Sequence, residues 1–155
     1  MALYKSKQVV AGVNVPTCDD SYEATAITAE YVTPTGGIAA GSIIEFGGIP
    51  DGTIPVDLVI HTGALGASVT LDSGILSGAY GTNTDASTMG SEFFTAAQAA
   101  ATAVLLRATK SMAALPPKAT IQSWGVKTAG ATTSAGITIR ATLFVVPAPI
   151  GMANA

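Results

Sequence analysis

Gly136-Ile-Thr-Ile-Arg-Ala-Thr-Leu-Phe-Val-Val146 alternates with a period of two: Ile137, Ile139, Ala141, Leu143 and Val145 fall on one side, and Thr138, Arg140 and Thr142 on the other. A helix would scatter these residues around its axis, whereas a pleated strand gathers the apolar ones on one face and leaves the other wet. Ala67-Ser-Val-Thr-Leu-Asp72 repeats the pattern, with Val69 and Leu71 opposed to Ser68, Thr70 and Asp72, between Gly66 and Gly74. Each stretch has one dry face, which demands a second layer to cover it.

Working outward, Tyr22 to Thr33 is rich in β-branched and aromatic residues, although its two faces are hardly distinguished. Ser42 to Phe46 is a short run expected to close at Gly47-Gly48. Ile54 to His61 follows the turn signal Pro50-Asp51-Gly52, and Pro55 near its start implies an edge position. Ala119 to Val126 is a further strand, and the small, polar Ala129 to Gly136 suits a hairpin connection before the last one. Ser91 to Lys110 is ambiguous: Ala content, Ser91 as a cap and Glu92 in a first turn predict a short helix or turn near 91–99, while alternation predicts a strand near 103–109. Seven or eight strands separated by Gly- and Pro-bearing turns predict an all-β sandwich or small barrel. The domain is expected over 21–146, preceded by an N-terminal arm over 1–20 and followed by an uncharged tail over 147–155.

Composition narrows the function. A chain of 155 residues suits one domain, and its 7 basic and 10 acidic side chains make up 11% of it, where about 25% is usual. A compact monomer of this mass exposes roughly 7,200 Å², or about 420 Å² per charge. Such a surface is unusual for a free cytosolic monomer and is expected to be covered by partners. Hydrophobic residues reach 48%, but 28 of them are Ala and no uninterrupted apolar run approaches a membrane span. No secretory signal is expected, because Gly12 and Asn14 break the apolar run behind Lys5 and Lys7. An isoelectric point near 4.8 and the lack of a Lys/Arg cluster argue against nucleic acid as a partner.

Candidate chemistry is sparse. Cys18, the one cysteine, stands beside Asp19 and Asp20, a setting opposed to thiolate formation, and it cannot form an internal disulfide. One cysteine and one histidine, His61, supply too few soft ligands for zinc, and Asp51, Asp57 and Asp85 are scattered. His61 would be the base of any Ser-His-Asp arrangement, but Gly-x-Ser-x-Gly is absent and a turn-bonded, partly exposed histidine is the commoner outcome. No cofactor, metal or catalytic set is therefore expected. Val69-Thr-Leu-Asp72-Ser73-Gly74 resembles the Asp-Thr/Ser-Gly signature of retroviral-type aspartic proteases, dimers in which Asp72 of each subunit would share one proton. The family usually has Ala where Ile75 stands, and Asp-Ser-Gly is also a common way to leave a strand. Trp124 allows a sugar-stacking face, a glycan-binding surface module, against its reading as a core or interface anchor.

Ser42-Ile-Ile-Glu-Phe-Gly-Gly-Ile-Pro-Asp-Gly52, the Ile54 to His61 strand, Ala67 to Gly74 and Ala135-Gly-Ile-Thr-Ile-Arg-Ala-Thr-Leu-Phe-Val145 together resemble the decoration, or cement, proteins of tailed-bacteriophage capsids. The resemblance implies a jelly-roll-like antiparallel β-sandwich with an extended N-terminal arm, and a structural, non-enzymatic role. It implies binding to the outer surface of the assembled major capsid protein shell in the virion, after synthesis in the host cytoplasm. Self-association is implied as well, a homodimer first and a trimer second, with no membrane or nucleic-acid partner. On that reading the arm carries the capsid contacts, and Tyr4, Val9, Val10, Val13 and Val15 are its candidate interface residues.

Overall fold

The computed structural model describes residues 1–11, 23–98, 103–110, 115 and 120–148. Its elements are β1 (Leu3–Lys5), a one-turn helix α1 (Lys7–Val10), β2 (Thr25–Val32), β3 (Ile43–Ile49), β4 (Thr53–Thr62), β5 (Thr70–Ala79), β6 (Phe94–Gln98), β7 (Val104–Arg107), β8 (Gln122–Ala129) and β9 (Thr138–Pro147). Strands β2 to β9 pair as one long hairpin folded at its middle: β2 with β9, β3 with β8, β4 with β7 and β5 with β6, all antiparallel. Two further pairings, β4 with β9 and β5 with β8, roll that ladder into sheets of order β2-β9-β4-β7 and β1-β3-β8-β5-β6. Nested pairing wound on itself in this way is a jelly roll.

The alternation in β9 now has its cause. Ile139, Ala141, Leu143 and Val145 are wholly buried and, with Leu58 and Ile60 of β4, form one wall of the core; Ile44, Phe46, Leu71, Trp124 and Val126 form the other. Each of the Ile, Leu, Val and Phe side chains among them contributes about 1.5–3 kcal/mol by leaving water. Packing also decides the ambiguous β2: Ile27 and Ala29 are buried with Tyr31 beside them, while Ala26, Thr28 and Val32 face out. Pro55 sits upstream of Val59, where pairing with β7 begins, so that flank of β4 is an edge as expected.

Four local expectations are corrected. β3 runs through Gly47-Gly48 to Ile49, because a bulge between Glu45 and Gly47 absorbs the glycines into the ladder. β5 likewise runs through Asp72-Ser73-Gly74, where the Ser73 hydroxyl donates to the Gly125 carbonyl at 2.7 Å and no turn forms. Residues 94–98 form a strand where a helix or turn was expected. Phe93 and Phe94 are wholly buried, and the Glu92 carboxylate accepts from the Ile75 amide instead of serving a helix start. The link 129–136 joins different sheets and is no hairpin; Thr133 Oγ1 accepts from the Ile38 amide, and Gly130 and Gly136 take positive φ where it turns.

Of the arm expected over 1–20, residues 1–11 lie along the sandwich. β1 pairs in parallel with β3, Leu3 opposite Ile43, and the buried Ser6 hydroxyl donates to the Phe46 carbonyl at 2.7 Å while capping α1 through the Val9 amide. Residues 12–20, with Val13, Val15 and Cys18, lie outside the described residues, as does the tail beyond 148. Among the described residues no helix is long and apolar enough to cross a membrane.

Candidate interaction surface

The two sheets treat their outer faces differently. The five-stranded sheet is covered by the loop between β5 and β6, which holds itself there by specific bonds. Asn83 donates to Glu45 Oε1 at 3.0 Å and to Ser123 Oγ at 2.8 Å, and Asp85 Oδ1 accepts from the Leu3 amide at 2.8 Å. A side chain on Gly74 would collide with the Gly90 carbonyl and the Glu92 carboxylate. Among the described residues the outer face of the four-stranded sheet has no such cover.

Register arranges that bare face in rows. Glu30, Arg140, His61 and Leu105 lie side by side across β2, β9, β4 and β7, and Thr28, Thr142, Val59 and Arg107 form the next row. Arg140 Nη2 donates to Glu30 Oε2 at 2.9 Å and Lys7 Nζ to Glu30 Oε1 at 3.0 Å; Thr28 and Thr142 hydroxyls meet at 3.0 Å. Arg107 donates Nε and Nη2 to the Asp57 carboxylate, which also accepts from the Leu58 amide at 2.9 Å. The charges are thus already paired within the chain. Around them stand exposed apolar residues, Leu105 at 61%, Val56 at 47%, Val32 at 40% and Val10 at 74%, and Lys5, Lys7, Val10, Ala11, Tyr31 and Val32 line a shallow depression at one margin.

Hydrogen bonds from Arg140 and then Lys7 hold the Glu30 carboxyl below its ordinary range, and the Arg107 bond does the same for Asp57. Both remain ionised in the folded chain at pH values where the unfolded chain takes up protons. Their contribution to stability is therefore full above about pH 4 and is lost as pH falls through the lower folded values. Both carboxylates are partly exposed, so the effect is modest and screened by salt. In the Glu30→Gln/Asp57→Asn double variant, Tm plotted against pH between 2 and 6 in low salt is expected to fall less steeply than in the parent chain. Parallel curves would contradict this account.

The residues singled out from the sequence disperse over the molecule. Tyr4 is half-buried and turned onto Tyr31, ring centroids 6.0 Å apart at 62°; Val9 is half-buried and Val10 exposed. Asp72 stands within β5 opposite Lys127, away from any strand exit. Trp124 is wholly buried, 5.4 Å from the Phe46 ring, and offers no stacking face to a sugar. His61 is exposed at the end of β4 beside Arg140. Among the described residues no group of three His, Cys, Asp or Glu gathers as a metal cluster. The ion-paired rows escaped sequence reading because Glu30 and Arg140 are 110 residues apart. Arg140's place among outward residues was the one available signal.

The capsid of Ralstonia phage GP4 contains a chain that superposes on this one with a TM-score of 0.84 and 35% identity, over 96% of this chain and 99% of that one. This chain belongs to the same family as that phage capsid protein. A chain of the cyanophage Pam1 capsid asymmetric unit shares the fold, with a TM-score of 0.64 and 17% identity over 88% of this chain and 93% of that one. No family model matches the chain, and no curated protein does.

Proposed function

We propose that this chain is a capsid decoration, or cement, protein. It is a virion component without enzymatic activity that binds the outside of the assembled major capsid protein shell after synthesis in the host cytoplasm. The observation that carries this reading is the 35% identity to a GP4 capsid chain, end to end. The bare sheet face supports it physically. Covering a surface whose Glu30 is paired with Arg140 and Lys7 and whose Asp57 is paired with Arg107 strands neither carboxylate and leaves one surplus positive charge, and Val10, Val32 and Leu105 supply apolar contact. Of the arm residues first considered, Val9 and Val10 are adjacent to this face and Tyr4 acts through Tyr31; Val13 and Val15 stay candidate contact residues that lie outside the described residues. Repetition over a shell makes many modest interfaces sufficient, and symmetric self-association, a dimer first and a trimer second, multiplies them. Stripping the protein from particles and heating them tests the reading. Stripped shells are expected to rupture at lower temperature, with resistance regained on adding it back; unchanged thermal and osmotic resistance would overturn it.

A further inference from the structure

The two long margins of the sandwich are finished differently. At one, β1 adds to β3 and α1 lies against β2, where Gln8 Oε1 accepts from the outward Glu30 amide at 3.2 Å. At the other, β7 ends the four-stranded sheet. Its register with β4, and the Ala108 amide donating to the Leu58 carbonyl at 3.0 Å, turn the Val104, Leu106 and Ala108 backbone toward β4. By alternation the N–H and C=O of Leu105 and Arg107 point away from the sheet, and nothing among the described residues bonds them. The Thr109 and Lys110 amides turn off this edge to the Phe93 carbonyl, so the open stretch is 103–107. The side chains agree with the backbone. Leu105 is exposed, and Val104 and Leu106, though packed on the core, stay half-buried where Leu58 and Ile60 of β4 are wholly buried. Proteins blunt open edges with short strands, bulges, prolines or lysines; β7 is short, but Val104-Leu-Leu-Arg107 has none of the other three. Its one charge, Arg107, is folded onto Asp57 of β4.

We propose that β7 is a self-association edge, pairing antiparallel with β7 of a second copy about a two-fold axis at Leu105. Leu105 then faces Leu105 of the second copy, Val104 faces Leu106, and Arg107 faces Ala103, so apolar meets apolar and no like charges are opposed. The outward backbone groups of 103, 105 and 107 exchange hydrogen bonds across the axis, the main-chain mode by which strands add to edges. Each copy has one β7, so assembly closes at two and the two four-stranded sheets become one. An edge this short buries less than a standard interface of roughly 1,200–2,000 Å², so Kd is on the order of 10–100 µM. The pairing names the surface of the dimer proposed above and rests on that dimer forming, not on the shell contact.

Sedimentation equilibrium of the full chain, loaded at roughly 5 µM to 1 mM to bracket that Kd, is expected to show monomer and dimer, the heavier species twice 15.4 kDa. Hydrogen exchange over the same range is expected to slow at the Leu105 and Arg107 amides and not at Ala26 or Thr28 of β2. Leu105→Lys opposes two cations at the axis and is expected to weaken the dimer roughly tenfold or more. Its Tm at the lowest concentration is expected within about 2 °C of the parent, because the side chain is exposed. An equimolar mixture of Leu105→Lys and Leu105→Glu sets opposite charges across the axis and is expected to associate about fivefold more tightly than either alone. A chain monomeric at the highest concentration that still rebinds shells would overturn the pairing and leave the capsid reading standing. Slowed exchange at 105 and 107 only on shells would overturn it by giving the edge to shell protein. A dimer unmoved by Leu105→Lys would overturn the edge and leave the dimer standing, and a trimer, or a mixture no tighter than its parts, would overturn the two-fold register.

Discussion

Trp124→Ala is expected to lower stability by about 3–5 kcal/mol, the usual cost of deleting a large buried aromatic ring. Trp124 is the largest wholly buried side chain, lies between the two sheets and tilts against Phe46 at 5.4 Å. Its removal therefore empties space that strands fixed on both sides cannot close. The substitution also separates shape from polarity, because the indole Nε1 is buried without a hydrogen-bond partner. Trp124→Phe keeps most of the ring and discards the unpaired donor, so its cost is expected to be about 1–2 kcal/mol. Urea unfolding reads both, as a fall in midpoint at constant slope. A cost below about 1 kcal/mol for the alanine variant would show that the ring is not part of the core.

Gly74→Val carries the second large effect, for a different reason. Valine suits strands better than glycine, so a β5 open on its outer face would be stabilised by the change. Here the new side chain meets the Gly90 carbonyl and the Glu92 carboxylate, and Glu92 in turn accepts from the Ile75 amide. The loop cover must lift, uncovering Glu45 and breaking its bonds to Asn83. A loss of about 2–4 kcal/mol is expected, together with faster amide exchange over residues 80–92 and unaltered protection in β4 and β9. Retained protection of the loop, or a gain in stability, would contradict the description of this face.

The sandwich was legible because it rests on period-two alternation. Ile137 to Val145 and Val69 to Leu71 point inward as the pattern requires, and β9 collects partners on both flanks because both its edges are needed to close the four-stranded sheet. The strand limits were less legible. Glycines at 47, 48 and 74 are turn signals by local preference, but here one pair is absorbed by a bulge and the other glycine makes room for a loop from 16 residues further on. The helix expected near 91–99 lost to the burial of Phe93 and Phe94, a tertiary gain larger than alanine's helix preference. The ion-paired outer face of the four-stranded sheet was hardly visible at all, since its ion pairs join residues 23, 50 and 110 positions apart. Glu45 did leave a trace, an acidic residue inside an apolar strand in Ser42-Ile-Ile-Glu-Phe, whereas nothing near Asn83 marks it as the residue that meets it.

The most direct test of the capsid assignment is imaging shells stripped of this protein and then incubated with the purified chain. The account predicts a jelly-roll density restored on the outside of the shell at a fixed symmetry position, with the Glu30–Arg140 and Asp57–Arg107 sheet face turned toward shell protein. Shells that remain bare at saturating concentration, or density with that face pointing into solvent and the loop-covered sheet against the shell, would contradict it.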